Sequence, residues 1–150
     1  MNKLGIIVPY RNRFEHLKKF KKSIIDYLDS NSYENYVVII VEQVDARLFN
    51  RGMLLNIGFE EAEKQGCDYV VFHDVDMLPI YVNYSYHSKP LHLATNFVLD
   101  DDEKERTIFD EYFGGVTMFP VDTFKKIDGY SNKYWGWGYE DDDLRFRCEE

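Results

Sequence analysis

Two aspartates, Asp74 and Asp76, stand two positions apart in FHDVDMLP, directly after an apolar run typical of a buried strand. In an extended segment the side chains at i and i+2 point the same way, so both carboxylates can face one ligand. The carboxyl end of a strand is the usual ligand site of an α/β sheet. Hard oxygen ligands suit Mg²⁺ or Mn²⁺, with a diphosphate often completing the coordination. The alternative is a pair of turn or helix-capping aspartates, which are common after strands.

Two arginines, Arg11 and Arg13, follow the first apolar run in VPYRNRFEHL. From a loop between a strand and a helix, both guanidinium groups could reach a phosphate, because their geometry matches phosphate oxygens. Tyr10 could stack on a base. Surface arginines that pair with local acids would explain the same residues.

A second loop-to-helix junction occurs in LFNRGMLLNIGF, where Phe49 and Arg51 stand at the start of a predicted helix. An amphipathic helix capped by Asn50 accounts for this segment equally well. The three segments described so far all follow predicted strands or open helices, so they are expected to converge at one edge of the sheet. This convergence supports a ligand site more strongly than any single motif does.

The stretch KYWGWGYEDDDL, residues 133–144, places two tryptophans and two glycines directly before four acids. The flat faces of Trp135 and Trp137 can cover the C–H surface of a sugar, and the glycines permit a loop that closes over a substrate. Acids at 140–142 can accept hydrogen bonds from sugar hydroxyls. Their crowding raises the pKa of at least one acid, which favours a general base near neutral pH. The alternative is an acidic helix N-terminus favoured by the helix dipole, with the tryptophans in the core.

The elements that must position these residues alternate along the chain. Apolar runs rich in β-branched residues predict buried strands, and apolar residues at helical spacing from Phe14 to Leu28 predict the first helix. Gly66 and Gly129 are well placed to end helices, and the charged segment 100–106 is predicted to be a solvated loop. This alternation indicates an α/β fold with a parallel sheet and right-handed crossovers. Strands are predicted over 4–9, 36–41, 68–73 and 114–119, and helices over 14–29, 50–66 and 121–129.

Length and composition predict one soluble domain over residues 1–150. The 150 residues suffice for a single core, and 45% hydrophobic and 30% charged residues are typical of a globular protein. With a net charge of −9 and no Lys/Arg stripe beyond KKFKK, no nucleic acid partner is expected. No apolar stretch approaches the ~20 residues of a membrane span and no signal peptide is recognised, so a cytoplasmic location is expected. Cys67 and Cys148 match no metal-ligand or disulfide spacing.

Five segments of the sequence occur together in one order. They are VPYRNRFEHL, FNRGMLLNIGF, HDVDMLP, YFGG and YWGWGYEDDDL, and they extend from about residue 6 to the end of the chain. In order and approximate spacing they resemble the β-1,4-galactosyltransferase family. The resemblance implies the GT-A fold, a Rossmann-like, nucleotide-sugar-binding α/β fold with a mostly parallel central sheet. It also implies an inverting, metal-dependent glycosyltransferase that moves galactose from UDP-galactose to a hydroxyl of a terminal sugar or glycan acceptor, with a β-1,4 linkage.

The resemblance further implies roles for individual residues. Asp141 would be the catalytic base and would contact the acceptor together with Asp142, and Asp76 would bind Mn²⁺ or Mg²⁺. Tyr112 would favour galactose over N-acetylgalactosamine in the donor, and Trp137 would lie on the mobile loop that closes over it. The positions implied to bind the donor and its nucleotide are Pro9, Tyr10, Arg11, Arg13, Phe49, Arg51, Asp74, Val75, Tyr112, Trp137 and Glu140.

Two departures from the family pattern leave alternatives open. The family's remaining metal ligands lie farther along the chain than Glu150, so we expect either a fragment or a metal site completed by the diphosphate and water. Tyr139 stands where well-known members have glycine, which leaves the acceptor open. The alternatives are a UDP- or carbohydrate-binding relative without turnover, and the same enzyme class with an N-acetylgalactosamine donor or a xylose acceptor. His73 is expected to be a packed side chain rather than a ligand.

Overall fold

The computed structural model describes residues 1–93, 96–98, 105–107, 115–136 and 140–149. In these residues the strands form one five-stranded sheet and one two-stranded sheet. In chain order the elements are β1 (Leu4–Tyr10), α1 (Phe14–Ser30), β2 (Tyr36–Glu42), α2 (Arg51–Lys64), β3 (Tyr69–His73), β4 (Leu91–His92), β5 (Asn96–Val98), β6 (Glu105–Thr107), β7 (Val116–Pro120), α3 (Val121–Lys126) and α4 (Glu140–Glu149).

The five-stranded sheet has the order β2-β1-β3-β7-β4. β1 pairs in parallel with β2 and β3, so the core of the sheet is parallel as predicted. β7 runs antiparallel to β3 and β4. A parallel pair needs a crossover connection, usually a helix, and the described residues between β3 and β7 contain no helix. Because β1, β2 and β3 are parallel, their carboxyl ends meet at one edge of the sheet.

Helices cover both faces of this sheet. On one face α1 packs through Phe20, Ile24 and Leu28 against side chains of β1 and β3. On the other face α2, α3 and α4 pack against the opposite side of the same strands, through a cluster that includes Ile7, Leu55, Phe59, Val70, Phe72, Phe119, Phe124 and Leu144. Phe14 shares the helical spacing of α1 but is 63% exposed, because it is the first residue of the helix and its ring lies beside the Lys18 amino group instead of the core.

Helix α2 is fixed at both ends and along its length. Asn50 caps it as predicted, since its side chain accepts a hydrogen bond from the Met53 backbone N–H at 3.0 Å. Gly66, with φ of +79°, follows its last turn. At Gly58 the helix approaches the sheet so closely that an added Cβ would lie 2.9 Å from Val41 Cγ2. The start of α2, and with it Arg51, is therefore held at a defined place above the sheet.

The second half of the chain was predicted less well. The segment predicted as a loop, residues 100–106, overlaps at its end with strand β6 (Glu105–Thr107), which pairs antiparallel with β5. Strands β4 and β5 had no predicted counterpart, because they are only 2 and 3 residues long and carry little periodicity. None of the helices in the described part of the chain combines the length and apolar composition that a membrane crossing needs.

Candidate active site

A cleft of about 580 Å³ opens where β1 and β3 end and where α2 and α4 begin. Backbone and side chains from four separate parts of the sequence form it, which matches the predicted convergence at one sheet edge. The lining residues are Pro9, Arg11, Arg13, Leu48, Phe49, Arg51, Asp74, Val75, Asp76, Gly136 and Glu140.

Most of the residues predicted to bind the donor or the metal are among those lining residues, although their individual roles stay predictions. Tyr10 is not among them, because it is buried at the end of β1 and is only 8% exposed. Asp142 is exposed on the first turn of α4. Tyr112 and Trp137 lie outside the described residues.

Arg51, the first residue of α2, joins the two acidic segments. Its Nε donates a hydrogen bond to Asp74 Oδ1 at 2.8 Å, and its Nη1 donates one to Asp141 Oδ1 at 2.8 Å. Glu140 Oε1 lies 3.6 Å from the same Nη1. The arginine side chain is only 10% exposed, so these ion pairs have little contact with water. One buried guanidinium therefore fixes the end of β3 relative to the start of α4.

Asp141 has the electrostatic setting of a base that works near neutral pH. Burial is the largest cause that raises the pKa of its carboxyl to about 7, and the nearby carboxylates Glu140 and Asp74 act in the same direction. Arg51 acts in the opposite direction. A carboxyl group with this pKa is a stronger proton acceptor than an ordinary aspartate and is still ionised in about half of the molecules at pH 7.

Another part of the cleft wall is built by Arg11 and the β2–α2 loop, residues 43–50. Arg11 Nη1 donates hydrogen bonds to the backbone carbonyl oxygens of Asp45, at 3.3 Å, and Arg47, at 2.5 Å. The Arg11 guanidinium carbon also lies 5.6 Å from the ring centroid of Phe49. A cation beside an aromatic ring is chemically suited to a nucleotide, which offers a flat base and anionic phosphates.

The segment that precedes α4 is attached to the same loop. The Gly136 backbone N–H donates to the Phe49 carbonyl oxygen at 2.6 Å, and Gly136 has a φ of +86°, which favours glycine. The Trp135 ring lies 5.7 Å from the Arg47 guanidinium carbon and is 39% exposed. Trp135 therefore lies on the surface beside the cleft, so the alternative that placed both tryptophans in the core is wrong for this residue.

Comparison with known proteins identifies the family. Residues 1–89 match the family described as the N-terminal region of glycosyl transferase group 7, and residues 100–150 match the N-terminal domain of galactosyltransferase. The chain is 41% identical over 150 residues to β-1,4-galactosyltransferase 5 of Sus scrofa, an alignment that covers 98% of this chain and 38% of that protein. The chain belongs to the β-1,4-galactosyltransferase family.

Further members of this family are similar to the chain in sequence and in fold. Xylosylprotein 4-β-galactosyltransferase of Caenorhabditis elegans is 36% identical over 146 residues, which cover 97% of this chain and 50% of that protein. The catalytic domain of Drosophila β1,4-galactosyltransferase 7, in complex with xylobiose, matches with a TM-score of 0.86 and 35% identity over 98% of this chain and 60% of that one. A mutant of that enzyme, in complex with manganese, UDP-Gal and xylobiose, gives the same TM-score. The predicted GT-A fold is confirmed, and the chain spans half or less of the length of these two curated relatives.

Asp76 is the predicted metal ligand of this galactosyltransferase-family chain, and its carboxylate is accessible to a metal ion. It is exposed at the cleft and has no hydrogen-bond or ion-pair partner within the described residues, whereas Asp74 is bound to Arg51. The described part of the chain contains no group of three or more His, Cys, Asp or Glu side chains that could hold a metal. Asp76 can offer one carboxylate to a divalent cation, and the oxygen atoms of a diphosphate can supply further ligands.

His73, next to Asp74, is a packed side chain as predicted. Its ring makes edge contact with Phe20 at 4.9 Å between centroids, and burial lowers its pKa to about 4, so it is neutral. Its Nδ1 lies 3.0 Å from the Asp74 carbonyl oxygen and its Nε2 lies 2.9 Å from the Tyr84 hydroxyl. A neutral ring that donates from Nδ1 accepts at Nε2, so both ring nitrogens are used to hold the end of β3.

Two polar residues that were not predicted from the sequence hold segments next to the cleft in place. Asn56 of α2 donates to the Tyr130 carbonyl oxygen at 2.7 Å and accepts from the Tyr130 backbone N–H at 2.9 Å, which fastens the segment before Trp135 to the helix. Gln43 is buried inside the β2–α2 loop. Asn56 carried a signal, since it interrupts the apolar run MLLNIGF, whereas Gln43 at the end of a strand carried none.

Proposed function

We propose that this chain carries an inverting galactosyltransferase site, which transfers galactose from UDP-galactose to a hydroxyl of a terminal sugar with the help of a divalent cation and forms a β-1,4 linkage. The observation that carries the proposal is the pair of hydrogen bonds from Arg51 to Asp74 and Asp141. They bring the residue assigned to the donor and the residue assigned as base to one guanidinium. A reaction between two bound substrates needs such fixed proximity.

In the proposed reaction Asp141 accepts the proton of the acceptor hydroxyl while that oxygen attacks C1 of galactose. The new C1–O bond forms as the C1–O bond to the diphosphate breaks, and the electron pair of that bond leaves with UDP. A single displacement from the opposite face inverts C1, so one base suffices and no covalent intermediate forms. The raised pKa of Asp141, about 7, supports this assignment.

Donor binding is assigned to the cleft wall formed by Arg11 and Phe49 together with Arg13. The aromatic ring offers a stacking face to a base, and the guanidinium groups match phosphate oxygens. A divalent cation at Asp76, such as the manganese of the related Drosophila complex, would neutralise charge on the departing diphosphate. Glu140, buried at the same cleft, is assigned to the hydroxyls of the donor sugar.

For the acceptor we propose a xylose-terminated sugar as the first candidate. The names of two relatives support it, since one is a xylosylprotein galactosyltransferase and the other was crystallised with xylobiose. A panel that contains a xyloside, an N-acetylglucosaminide and a glucoside would rank the acceptors by kcat/KM.

The test is UDP release from UDP-galactose with Mn²⁺ and that acceptor panel. The wild type should release UDP only when an acceptor is present, and Asp141→Asn should lower the rate by about 10²- to 10⁴-fold through loss of the base. Asp143→Asn is the matched control on the same helix turn, because its carboxylate pairs with Arg147 at 2.8 Å and not with Arg51. Full activity in Asp141→Asn would contradict the proposal.

A binding module without turnover is the second candidate. It is favoured by the lack, among the described residues, of a side-chain group able to hold a metal by itself. Calorimetry separates the two, because a binding module should take up UDP without forming product and Mn²⁺ should add little affinity. If the wild type does turn over, Tyr112→Leu should broaden donor use to UDP-N-acetylgalactosamine, as the family assignment of Tyr112 implies.

A further inference from the structure

The β2–α2 loop is folded around a single buried carboxamide. Gln43 is 7% exposed, and its Oε1 accepts a hydrogen bond from the Asn50 backbone N–H at 2.8 Å. Its Nε2 donates to Asp45 Oδ1 at 2.9 Å and to the Leu48 carbonyl oxygen at 3.1 Å, with the Arg47 carbonyl oxygen at 3.4 Å. One side chain therefore joins the start, the middle and the end of the loop.

The loop has little apolar packing that could fix its shape instead. Val44 is 87% exposed and Leu48 is 66% exposed, so neither side chain forms a core for it. Asp45 Oδ1 accepts a second hydrogen bond from the Arg47 backbone N–H at 3.0 Å, which extends the network that begins at Gln43. Arg11 and Gly136 bind loop carbonyl oxygens from outside, whereas Gln43 is the buried side chain that binds the loop from within. Because buried polar groups need partners, loss of the Gln43 carboxamide would leave several of these loop groups without one.

The parts of the cleft that are assigned to the donor depend on the conformation of this loop. Phe49 belongs to the loop and lines the cleft, and its carbonyl oxygen accepts a hydrogen bond from the Gly136 backbone N–H. Arg11 is held by two loop carbonyl oxygens. Asn50, whose backbone N–H is bound by Gln43, caps the helix that begins with Arg51. A change in the loop would therefore displace the aromatic ring and the guanidinium together.

We propose that Gln43 is a positioning residue for donor binding: its carboxamide holds the β2–α2 loop in the conformation in which Phe49 and Arg11 form the nucleotide wall of the cleft. The proposal rests on the proposed function, since it assumes that this wall binds UDP. Gln43 itself lies inside the loop and is not among the residues that line the cleft.

The test compares two variants of Gln43 with a matched control in the 150-residue chain. Gln43→Met keeps the length and flexibility of the side chain but removes its hydrogen bonds, and Gln43→Glu places a carboxylate against Asp45 and two carbonyl oxygens. Glu42→Gln is the control, because Glu42 is the preceding residue of β2 and is exposed. UDP affinity is measured by calorimetry, and circular dichroism melting shows whether each variant folds.

The wild type and Glu42→Gln should bind UDP equally, whereas Gln43→Met should bind it at least about tenfold more weakly, because only a fraction of molecules then has the competent loop. In the transfer assay the KM for UDP-galactose should rise by the same factor while kcat changes by less than about twofold. Binding within about twofold of the wild type in a folded Gln43→Met variant would overturn the proposal. Unfolding of both Gln43 variants would overturn it too, since Gln43 would then support the whole fold. Failure of the wild type to bind UDP would overturn the proposed function, and this inference with it.

Discussion

Replacing Arg51 by methionine would remove a buried cation that faces three carboxylates, those of Asp74, Glu140 and Asp141. Methionine has a similar length and fills much of the same space, so the change acts mainly on charge and hydrogen bonding. Asp74 and Asp141 would both lose a hydrogen bond of 2.8 Å. These two groups and Glu140, whose carboxylate lies 3.6 Å from the same guanidinium, would remain close together without the cation between them.

The size of the effect follows from burial. Loss of one partner of a buried ion pair costs about 3–5 kcal/mol, because the charge left behind stays desolvated. The side chains of Asp141 and Asp74 are 17% and 27% exposed, so water can partly solvate them, and we expect about 3 kcal/mol, the low end of that range. For a chain of this length each kcal/mol lowers the melting temperature by about 2–4 °C, which predicts a fall of about 6–12 °C.

Thermal unfolding followed by circular dichroism at about pH 8 measures this fall. Lys125→Met is the matched control, because Lys125 Nζ pairs with Glu63 Oε2 at a similar distance, 2.9 Å, but the two side chains are 56% and 42% exposed. An exposed pair contributes at most about 1 kcal/mol, so the control should lose less than about 4 °C. Two ion pairs of nearly equal length should thus differ severalfold in their contribution to stability.

Two further measurements test the cause. The pKa of Asp141 is about 7 with Arg51 present and rises when this cation, which lowers it, is removed, so at about pH 5 the Asp141 carboxyl is mostly protonated in both proteins and carries no unpaired charge. The loss caused by Arg51→Met should therefore be smaller at about pH 5 than at about pH 8. Adding Asp141→Asn to Arg51→Met should restore part of the stability at the higher pH, since it removes one of the carboxyl groups that lost the cation. An Arg51→Met variant that loses no more than Lys125→Met, or loses equally at both pH values, would refute the reasoning.

The pH dependence of transfer should follow the ionisation of Asp141, because its ionised form is the base. Initial rates should give a kcat/KM that falls about tenfold per pH unit below about pH 7 and is constant above it. A fall that begins only near pH 4 would contradict the assignment. Asp76→Asn should abolish the gain in UDP affinity that Mn²⁺ produces and leave metal-free binding unchanged in calorimetry; an unchanged gain would exclude Asp76 as a ligand. Gly52→Ala should lower the free energy of unfolding in urea by about 1–3 kcal/mol, because its Cβ would lie 2.5 Å from the Ser131 carbonyl oxygen, and a neutral result would mean that this segment yields easily.

Features that depend on neighbouring residues could be predicted from the sequence. Asn50 caps α2 and Gly66 follows its end, because capping involves only residues within about one turn. Asp74 and Asp76 line a cleft beyond β3, because the carboxyl ends of parallel strands meet at one edge. Each of the four segments alone is weak evidence for a ligand site, and together they indicate one because they lie at the same edge of the sheet.

Features that depend on distant partners could not be predicted in the same way. Arg51 was assigned to the donor, yet two of its nitrogens are engaged by carboxylates that lie 23 and 90 residues away in sequence. The role of Gln43 was not predicted, because a single polar residue after a strand gives no sign in the sequence that a loop folds around it. Phe14 has the right helical spacing, but periodicity gives the direction of a side chain and not how far the sheet extends beneath it.

The four acids that open α4 would repel one another if they shared one environment, and the structure gives them different ones. Acids 140–141 face Arg51, with the closer carboxylate at 2.8 Å. Asp143 accepts hydrogen bonds from two nitrogens of Arg147, at 3.1 and 2.8 Å, one turn later in the helix. Asp142 is exposed and has no such partner within the described residues. The helix dipole stabilises all four carboxylates. Burial is the largest cause that raises the pKa of Asp141, the proposed base, and among the other three acids Glu140 adds to it. The exposed Asp142 is the residue assigned to the acceptor.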